Sequence, residues 1–443
     1  MGKGWESDVA ELLGEKKLVL DSSAVEKLSK DYYWYSPVLD AKLRGKIADG
    51  AVKADSEEDV AKTLAYAYAH RIPITPRGAG TGNYGQAVPL EGGILLDVSG
   101  LNKIVEIGNG YARCQCGVKL GVLEKAVRES GQELRIYPST LMVATIGGFI
   151  SGGSGGIGSI TWGNLWDGNV LEATIYTMEQ SPKRVIVSGT EVQDYIHSYG
   201  TTGIVTEVVI PLAPARLWQE SICQFDSLEE AALFGNAVAH DVSIPKRMVS
   251  LSEWPLPSYF TPLAKQLEKG SAAVLLETEE GYLEAVSAHA KQANGRMGYV
   301  KDSSQYRKGI SLSDFTWNHT TLWSLRADPS YTYLQSGFSA TSFMDQIASI
   351  KGKFGDEVLL HMEWMMAGGV IFPIALPVIR YSTEERLYEI VAYFETIGVS
   401  VSDPHTWTVS PRSTTYGGMV ERKRVNDPLG LLNPGKLVAD PAD

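Results

Sequence analysis

The chain has few cysteines and no stretch typical of a signal peptide or a membrane span. Its 443 residues include three cysteines, Cys114, Cys116 and Cys223, which are too few for a disulfide framework and lack the spacing of zinc sites. Residues 1–13 contain no apolar run after the first lysine, so no signal peptide is predicted. Glycine and serine interrupt the least polar long window, 141–160, whereas a spanning helix needs about 20 mostly apolar residues. We therefore expect a cytoplasmic protein in a reducing compartment.

The chain also lacks the positive charge that would attract nucleic acid or an anionic membrane surface. It has 40 Lys and Arg against 52 Asp and Glu, which gives a net charge of −12. No local basic cluster offsets this charge, so we expect neither partner. Apolar residues make up 44% of the chain and charged residues 21%, as in ordinary globular proteins. At roughly 100 to 200 residues per domain, the length predicts about two to four domains.

Hydrophobic periodicity predicts a change of architecture near residue 215. A Ser-x-x-Asp pattern followed by apolar residues at helical spacing predicts a helix over 56–71, and 118–130 is typical of a second helix. Short β-branched runs predict the strands 72–75, 94–99, 111–117, 170–177, 184–188 and 203–212. After residue 215 the order strand, helix, strand, strand, helix predicts a ferredoxin-like layer.

Glycine is abundant, with 45 residues, and it is concentrated in two segments, 76–86 and 147–158. Backbone N–H groups that converge in a glycine-rich turn form a concave anion site, because glycine tolerates positive φ angles and close approach. The first segment joins two predicted strands, so it lacks the helix that follows a Rossmann fingerprint, and a glycine-rich hairpin is the alternative. Two such segments together indicate a dinucleotide held at both ends.

Four ordered motifs resemble those of the FAD-linked oxidase superfamily with a PCMH-type (vanillyl-alcohol-oxidase-like) FAD domain. They are PRGAGTG at 76–82, YPSTLMVATIGGFISGGSGGIGSITWG at 137–163, GTTGIVTEVVI at 200–210 and DPLGLLNPGKL at 427–437. Within the superfamily, the sequence is most similar to the glycolate oxidase flavin subunit and to D-lactate dehydrogenases. The resemblance implies an α+β fold with a two-subdomain FAD domain at 1–214, a substrate domain at 215–410 and a C-terminal segment at 411–443 that returns to the FAD domain.

The resemblance also implies which residues bind the cofactor. The pyrophosphate would be held by Arg77, Gly78, Ala79, Gly80, Thr81, Gly82 and Asn83. The ribityl chain and flavin would be lined by Pro138, Ser139, Thr140, Thr145, Gly147, Gly148, Ser151 and Gly152, and the adenine end or flavin edge by Gly203, Ile204 and Val205. Some members attach the flavin through a His or Cys in the first loop. Residues 77–86 contain neither, so we expect non-covalent FAD.

The implied activity is oxidation of the CH–OH group of a small 2-hydroxy acid, similar to glycolate or D-lactate, by hydride transfer to flavin N5. The chain lacks two histidine-bearing segments of the glycolate and lactate members, Gly-Asp-Gly-Asn-x-His and Gly-Glu-His-Gly; the segments nearest by position are 359–366 and 403–411. The alternatives are a sugar or alcohol oxidase or dehydrogenase of the same superfamily, a flavin electron-transfer subunit that needs a partner, and a non-catalytic nucleotide-binding module. The electron acceptor and the oligomeric state stay open.

Three of the seven histidines are candidates for the base that takes the hydroxyl proton, because imidazole titrates near neutral pH. His319 and His405 lie in aromatic, turn-prone segments. His361 and Glu363 are two residues apart on a strand predicted over 357–365 and therefore share a face, which suits a base with its orienting carboxylate or part of a metal site. An ordinary polar sheet face is the alternative for this pair, and we assign no metal ligand.

Three further side chains are candidates for holding the polar end of a substrate. Arg326 and Arg380 each carry a guanidinium, which binds a carboxylate through two hydrogen bonds, and Tyr333 offers a hydroxyl. The same region contains several tryptophans, which suit a sugar or an aromatic alcohol as well as a hydrophobic core: Trp317, Trp323, Trp364 and Trp407.

Overall fold

A computed structural model describes residues 4–438. The first part of this range contains a four-stranded sheet. Its strands are β1 (Leu18–Val19), β2 (Gly50–Lys53), β3 (Ile74–Arg77) and β4 (Ile94–Asp97), in the order β1-β2-β4-β3. Its helices are α1 (Trp5–Leu13), α2 (Ser22–Leu28), α3 (Pro37–Leu43) and α4 (Glu57–His70). The predicted capping box at Ser56 and Asp59 begins α4. Strands β3 and β4 pair in parallel, so the first glycine segment between them is not a hairpin.

The second sheet contains the longest strand of this half of the chain. It comprises β5 (Ile104–Gly108), β6 (Tyr111–Gln115), β7 (Gln132–Leu134), β8 (Glu172–Tyr176), β9 (Arg184–Ser188) and β10 (Ile204–Pro214). The order is β5-β6-β10-β8-β9, with β7 also paired to β10. Three helices accompany it, α5 (Leu120–Arg128), α6 (Ile146–Gly152) and α7 (Ser159–Trp162). The second glycine segment therefore contains a short helix, α6, whose N-cap residue is Thr145.

An eight-stranded sheet begins after Pro214 and consists of two ferredoxin-like modules. The first contains β11 (Trp218–Phe225), α8 (Leu228–His240), β12 (Lys246–Ser252), α9 (Leu256–Tyr259), β13 (Ala272–Glu279), α10 (Leu283–Gln292) and β14 (Arg296–Lys301). Its strands run in the order β14-β11-β13-β12, all antiparallel. This arrangement confirms the ferredoxin-like layer that the element order predicts.

The second module repeats this order. The sequence predicts a strand over 357–365 and a helix over 382–398 within it, but not the module as a unit. The module is preceded by α11 (Asn318–Ala327) and β15 (Tyr331–Tyr333), and its elements are β16 (Ser336–Gly337), α12 (Phe343–Phe354), β17 (Val358–Leu359), β18 (His361–Ala367), β19 (Val370–Ala375), β20 (Val378–Arg380), α13 (Glu384–Thr396) and β21 (Ser400–Val401). Its order, β18-β19-β16-β21, continues the first module through the β12–β18 pair. The strands β15, β20 and β17 form a separate small sheet.

The two faces of the eight-stranded sheet differ. Helices α8, α12 and α13 bury one face in a continuous apolar core that includes Phe234, Trp364 and Phe394. Gly235 on α8 is required there, because an added Cβ would overlap the indole of Trp364. The opposite face carries His361 and Glu363 of β18, which contact the N-terminal part of α11. This second face is the one turned toward the candidate site.

The last helix, α14 (Tyr416–Asn426), leads into a segment that packs against the first two sheets. Leu432 forms a parallel bridge with Ile74, and the Asn433 amide donates to the carbonyls of Gln86 and Tyr199. Lys436 is fully buried, and its ammonium group donates to the Gly85 carbonyl at 2.6 Å. The described part of the C-terminal segment thus packs against the first glycine segment and holds its last residues, Gly85 and Gln86, by hydrogen bonds. Within residues 4–438, no helix is long and apolar enough to cross a lipid bilayer.

Candidate functional site

A cavity of about 790 Å³ lies where the two glycine segments meet the second face of the eight-stranded sheet. The first segment enters it directly after β3, and the second enters it at the start of α6. The sheet contributes residues of β16, β18 and β19 to the opposite wall. A concave site of this kind is a usual place for a ligand.

Both glycine segments contain positions where a side chain would not fit. A Cβ on Gly78 would overlap the hydroxyl of Thr145, and one on Gly147 would lie 2.5 Å from Cβ of Cys116. Gly80 has a φ of +65° and lies against the guanidinium of Arg77. Main-chain N–H groups can therefore reach a ligand at both segments, which is the arrangement a phosphate-binding nest requires.

The structure brings together all the residues expected to bind the cofactor. Every one of the following lines the cavity: Arg77, Gly78, Ala79, Gly80, Thr81, Gly82, Asn83, Pro138, Ser139, Thr140, Thr145, Gly147, Gly148, Ser151, Gly152, Gly203, Ile204 and Val205. These positions are spread over about 130 residues of chain, and β3, α6 and β10 carry them to one place. Their roles toward the cofactor stay proposals.

One candidate base, His319, also lines the cavity. It follows Trp317 and Asn318 at the N-terminus of α11, and Trp317 takes a φ of +52°. The Trp317 N–H donates to Oε1 of Glu363 at 2.9 Å, which ties this turn to the sheet. Nδ1 of His319 and Oδ1 of Asn318 are buried atoms without a hydrogen-bond partner in the protein. Unsatisfied polar atoms on two neighbouring residues that line a cavity indicate a place for a polar ligand group.

Burial determines the protonation state of His319. Removal from water disfavours the imidazolium and lowers the pKa of His319 to about 4. The ring is therefore neutral at pH 7 and has a nitrogen that can accept a proton.

A hydroxyl and two amides extend the polar wall beside His319. Tyr84, Asn318 and Gln335 line the cavity, and the Gln335 amide donates to the Tyr84 hydroxyl. Burial raises the pKa of Tyr84 to about 12, so this hydroxyl stays protonated. Tyr333 lies behind the wall, fully buried, and its hydroxyl accepts a 2.7 Å hydrogen bond from the Asn83 amide. Tyr333 therefore contacts the wall and not the cavity.

The pair His361 and Glu363 shares a face of β18, as the spacing predicts, but lies outside the cavity lining. Nε2 of His361 is 3.2 Å from Oε1 of Glu363 and 3.0 Å from the Thr320 hydroxyl. Nδ1 of His361 donates to the Leu251 carbonyl at 2.9 Å. Both ring nitrogens are satisfied within the protein. In residues 4–438, no three His, Cys, Asp or Glu side chains gather closely enough to hold a metal ion.

The remaining three candidates also lie outside the lining. His405 is buried, with Nε2 donating to the Tyr333 carbonyl at 2.9 Å and Nδ1 accepting from the Ser36 hydroxyl at 2.7 Å. Arg326 is exposed over the Trp323 ring, and Arg380 is exposed beside Asp328 and the Tyr331 hydroxyl. The structure therefore places one of the seven catalytic candidates, His319, at the cavity.

The position of His405 predicts a pH-dependent stability. Burial lowers the pKa of His405 to about 4, below the value near 6.5 of an unfolded histidine. Between these values the unfolded state binds more protons, so the free energy of unfolding falls as the pH drops from about 6.5 to about 4, by on the order of 1 to 3 kcal/mol. Denaturant unfolding of His405→Gln should show a shallower fall than wild type, whereas the exposed His240→Gln should not. Equal slopes in all three proteins would contradict this assignment.

Several cavity residues carried no signal in the sequence. His197 and Tyr199 both have positive φ angles. The Tyr199 hydroxyl forms a 3.1 Å hydrogen bond with Nε2 of His197. Nδ1 of His197 donates to the carbonyl of Gly153, the C-cap residue of α6, at 2.9 Å and so holds the middle of the second glycine segment. Asn164 and Trp166 line the same region, and each has an unpartnered buried polar atom. Asn318 also lines the cavity, and the sequence could have indicated it only as the residue directly before the candidate base His319.

Comparison with known proteins identifies the domain that carries the glycine segments. Residues 48–180 match the family model described as "FAD binding domain". The glycolate oxidase subunit GlcD of Bacillus subtilis is 28% identical over 253 residues, 54% of this chain and 53% of that protein. The D-lactate dehydrogenase of Archaeoglobus fulgidus is 31% identical over 175 residues, 37% of this chain and 38% of that protein. The chain thus spans about half or less of the curated relatives it matches. These matches confirm the resemblance to FAD-linked oxidoreductases and the expected cofactor, FAD.

The fold is shared more widely than the sequence. A solved structure of alkyldihydroxyacetonephosphate synthase superposes with a TM-score of 0.75 and covers 99% of this chain and 86% of its own, at 15% identity. A likeness at this identity concerns the fold alone. Together with the match of residues 48–180 to an FAD-binding domain, it confirms the α+β, PCMH-type fold.

The cavity fits an FAD molecule. It has a volume of about 790 Å³ and is lined by both glycine segments, whose main-chain N–H groups suit a diphosphate. The unpartnered atoms Asn164 Oδ1 and Trp166 Nε1 offer one acceptor and one donor to the polar edge of a ring system. The pyrophosphate would lie at the first segment beside Arg77, the one cationic side chain of that segment.

Proposed function

We propose that this chain, whose residues 48–180 match an FAD-binding domain, is an FAD-dependent oxidoreductase that oxidises the CH–OH group of a small molecule. The observation that carries the proposal is the shared cavity. The same space is lined by both glycine segments and by the Trp317–Asn318–His319 turn of the eight-stranded part. A neutral imidazole thus lines the space that fits the cofactor.

His319 is the proposed general base. Oxidation of an alcohol removes a hydride from carbon and a proton from oxygen, and bound FAD supplies the hydride acceptor. A ring nitrogen of His319 would accept the hydroxyl proton, since the half-buried ring lines the cavity and is neutral at pH 7. The Asn318 carboxamide next to it would orient the substrate oxygen.

The other histidine candidates have proposed positioning roles. His361 and Glu363 hold the Trp317 turn and the side chain of Thr320, so they place the N-terminus of α11 against the sheet. His405 connects the Tyr333 carbonyl to Ser36. Tyr333 in turn accepts from Asn83 of the first glycine segment.

A small 2-hydroxy acid is the first substrate class that we propose. The relatives that support it are named a glycolate oxidase subunit and a D-lactate dehydrogenase. A neutral alcohol or sugar is the second candidate, and the position of the arginines favours it. Arg326 and Arg380 lie outside the cavity, and Arg412, which the cavity mouth does include, is exposed and paired with Glu395. Among described residues, the cavity wall beside His319 carries no buried guanidinium.

A substrate screen without oxygen tests the proposal. FAD-loaded protein is mixed with D- and L-2-hydroxy acids, sugars and polyols, and loss of the flavin's yellow absorbance is followed. We expect at least one 2-hydroxy acid or alcohol to reduce the flavin completely. Reduction by none of them, together with reduction by a protein electron donor, would favour the electron-transfer subunit instead.

We also propose that FAD is held without a covalent bond. The first glycine segment has no His or Cys, and His197, which lines the cavity, already has both ring nitrogens engaged. After acid or heat precipitation, the flavin should remain in the supernatant and the pellet should be colourless. Flavin that stays with the pellet would contradict this proposal.

A partner protein for turnover and a cytoplasmic location are further proposals. One relative is named a subunit of glycolate oxidase, which is consistent with a partner for turnover. A cytoplasmic location stays a proposal that rests on the small number of cysteines, all three of which are buried free thiols.

A further inference from the structure

The second ferredoxin-like module gives the cavity an apolar wall. Met365 of β18 pairs with Phe372 of β19, and Ile374 lies two residues further along β19. Because residues two apart on a strand share a face, these three side chains form one strip. All three line the cavity, and Phe372 and Ile374 are half-buried there.

This strip begins beside the proposed base. Ile374 pairs with Glu363, whose carboxylate accepts the N–H of Trp317, and His319 follows two residues later. Phe372 lies about 7 Å beyond Ile374, at a strand rise of about 3.4 Å per residue. The strip therefore leads from His319 along the sheet toward the β18–β19 turn.

The turn closes the far end against the first half of the chain. The Gly368 N–H donates to Oδ1 of Asp167 at 3.3 Å, and Asp167 follows Trp166, which also lines the cavity. The strip therefore lies between the Trp317 turn at one end and the contact of Gly368 with Asp167 at the other. Apolar surface held open to water inside an enclosed cavity is unfavourable until an apolar group covers it.

We propose that the substrate carries an apolar side group on the order of five carbons long, which the strand spacing of the strip accommodates. This group would cover Ile374 and Phe372 while the hydroxyl lies at His319. The inference rests on the proposed function for the position of the hydroxyl. We therefore expect the smallest hydroxy acids, such as glycolate and lactate, to be poor substrates.

A chain-length series tests the inference. Straight-chain 2-hydroxy acids from a methyl to a hexyl side chain are compared by kcat/KM for anaerobic flavin reduction, with secondary alcohols of the same lengths as a parallel series. We expect kcat/KM to rise about fourfold for each methylene that the strip covers. Ile374→Ser should flatten this rise. Val370→Ser is the matched control, because Val370 is an exposed β-branched residue of the same strand outside the cavity lining.

A binding measurement separates this inference from the proposed function. Kd values of the matching 2-oxo acids and methyl ketones, from the change they cause in the flavin spectrum, should fall with chain length in wild type and in Val370→Ser, but not in Ile374→Ser. Rising affinity with no flavin reduction by any alcohol would sustain the inference and overturn the proposed function. Flavin reduction with kcat/KM and Kd independent of chain length would overturn the inference and sustain the proposed function. Absence of binding by every oxo acid and ketone would overturn the inference.

Discussion

Purified Gly80→Val should contain less than about one tenth of the FAD of wild-type protein. A valine at this position takes a positive φ, which a β-branched side chain strongly disfavours, and its Cβ would overlap the Arg77 guanidinium. To relieve the strained φ angle or the overlap, the first glycine segment or the Arg77 side chain must move. Both line the cavity at the proposed pyrophosphate position. Flavin absorbance per mole of protein measures the effect.

The control for this variant is Gly110→Val. Gly110 also has a positive φ, +83°, but it lies in the β5–β6 turn with no heavy atom within 4 Å of an added Cβ. Valine at position 110 would impose similar backbone strain outside the cavity lining. Equal flavin content in Gly80→Val and wild type would show that the first glycine segment does not hold the cofactor. Equal loss in both variants would show a general effect on folding.

Replacing His319 by alanine should slow anaerobic reduction of the flavin by a good substrate by about 10²-fold or more, the usual contribution of a general base. FAD content should be unchanged, because His319 belongs to α11 and not to the glycine segments. The wild-type rate should fall as the pH drops toward the pKa of His319 at about 4, since protonation removes the accepting nitrogen. Rapid mixing with substrate over a pH series measures both effects.

The exposed His240 provides the matched control. It ends α8, with Nδ1 at 2.9 Å from the Asn236 carbonyl, and it is remote from the cavity lining. His240→Ala should reduce its flavin at the wild-type rate. A His319→Ala protein that keeps the wild-type rate and pH profile would remove His319 from the role of base.

Local signals predicted much of the fold. The capping box at Ser56 located α4 to within one residue at each end, and the strand Arg184–Ser188 has its predicted bounds. The helix α11 was missed, because its N-cap is Trp317, which offers no capping hydroxyl or carboxylate. The second ferredoxin-like module was missed as well. Its outer strands, β16 and β21, have two residues each, too short for a visible period.

The candidate site was predictable where the backbone carries the chemistry. Glycine is visible in a sequence, and every glycine expected at the cofactor lines the cavity. Side-chain candidates were harder to place, because strand alternation gives the shared face of His361 and Glu363 but not what covers that face. The Trp317 turn and Thr320 of α11 cover it, and His319 of the same helix reaches the cavity instead. Long-range packing of this kind has no local signature.

Titration of flavin-free protein with FAD tests the central claim most directly. The claim is that the two glycine segments together form one FAD site. Quenching of flavin fluorescence or heat of binding should saturate at one FAD per wild-type chain, and Gly80→Val should show no saturable binding. Wild-type protein that stays folded yet binds no FAD, or a Gly80→Val protein that binds it equally well, would contradict the account.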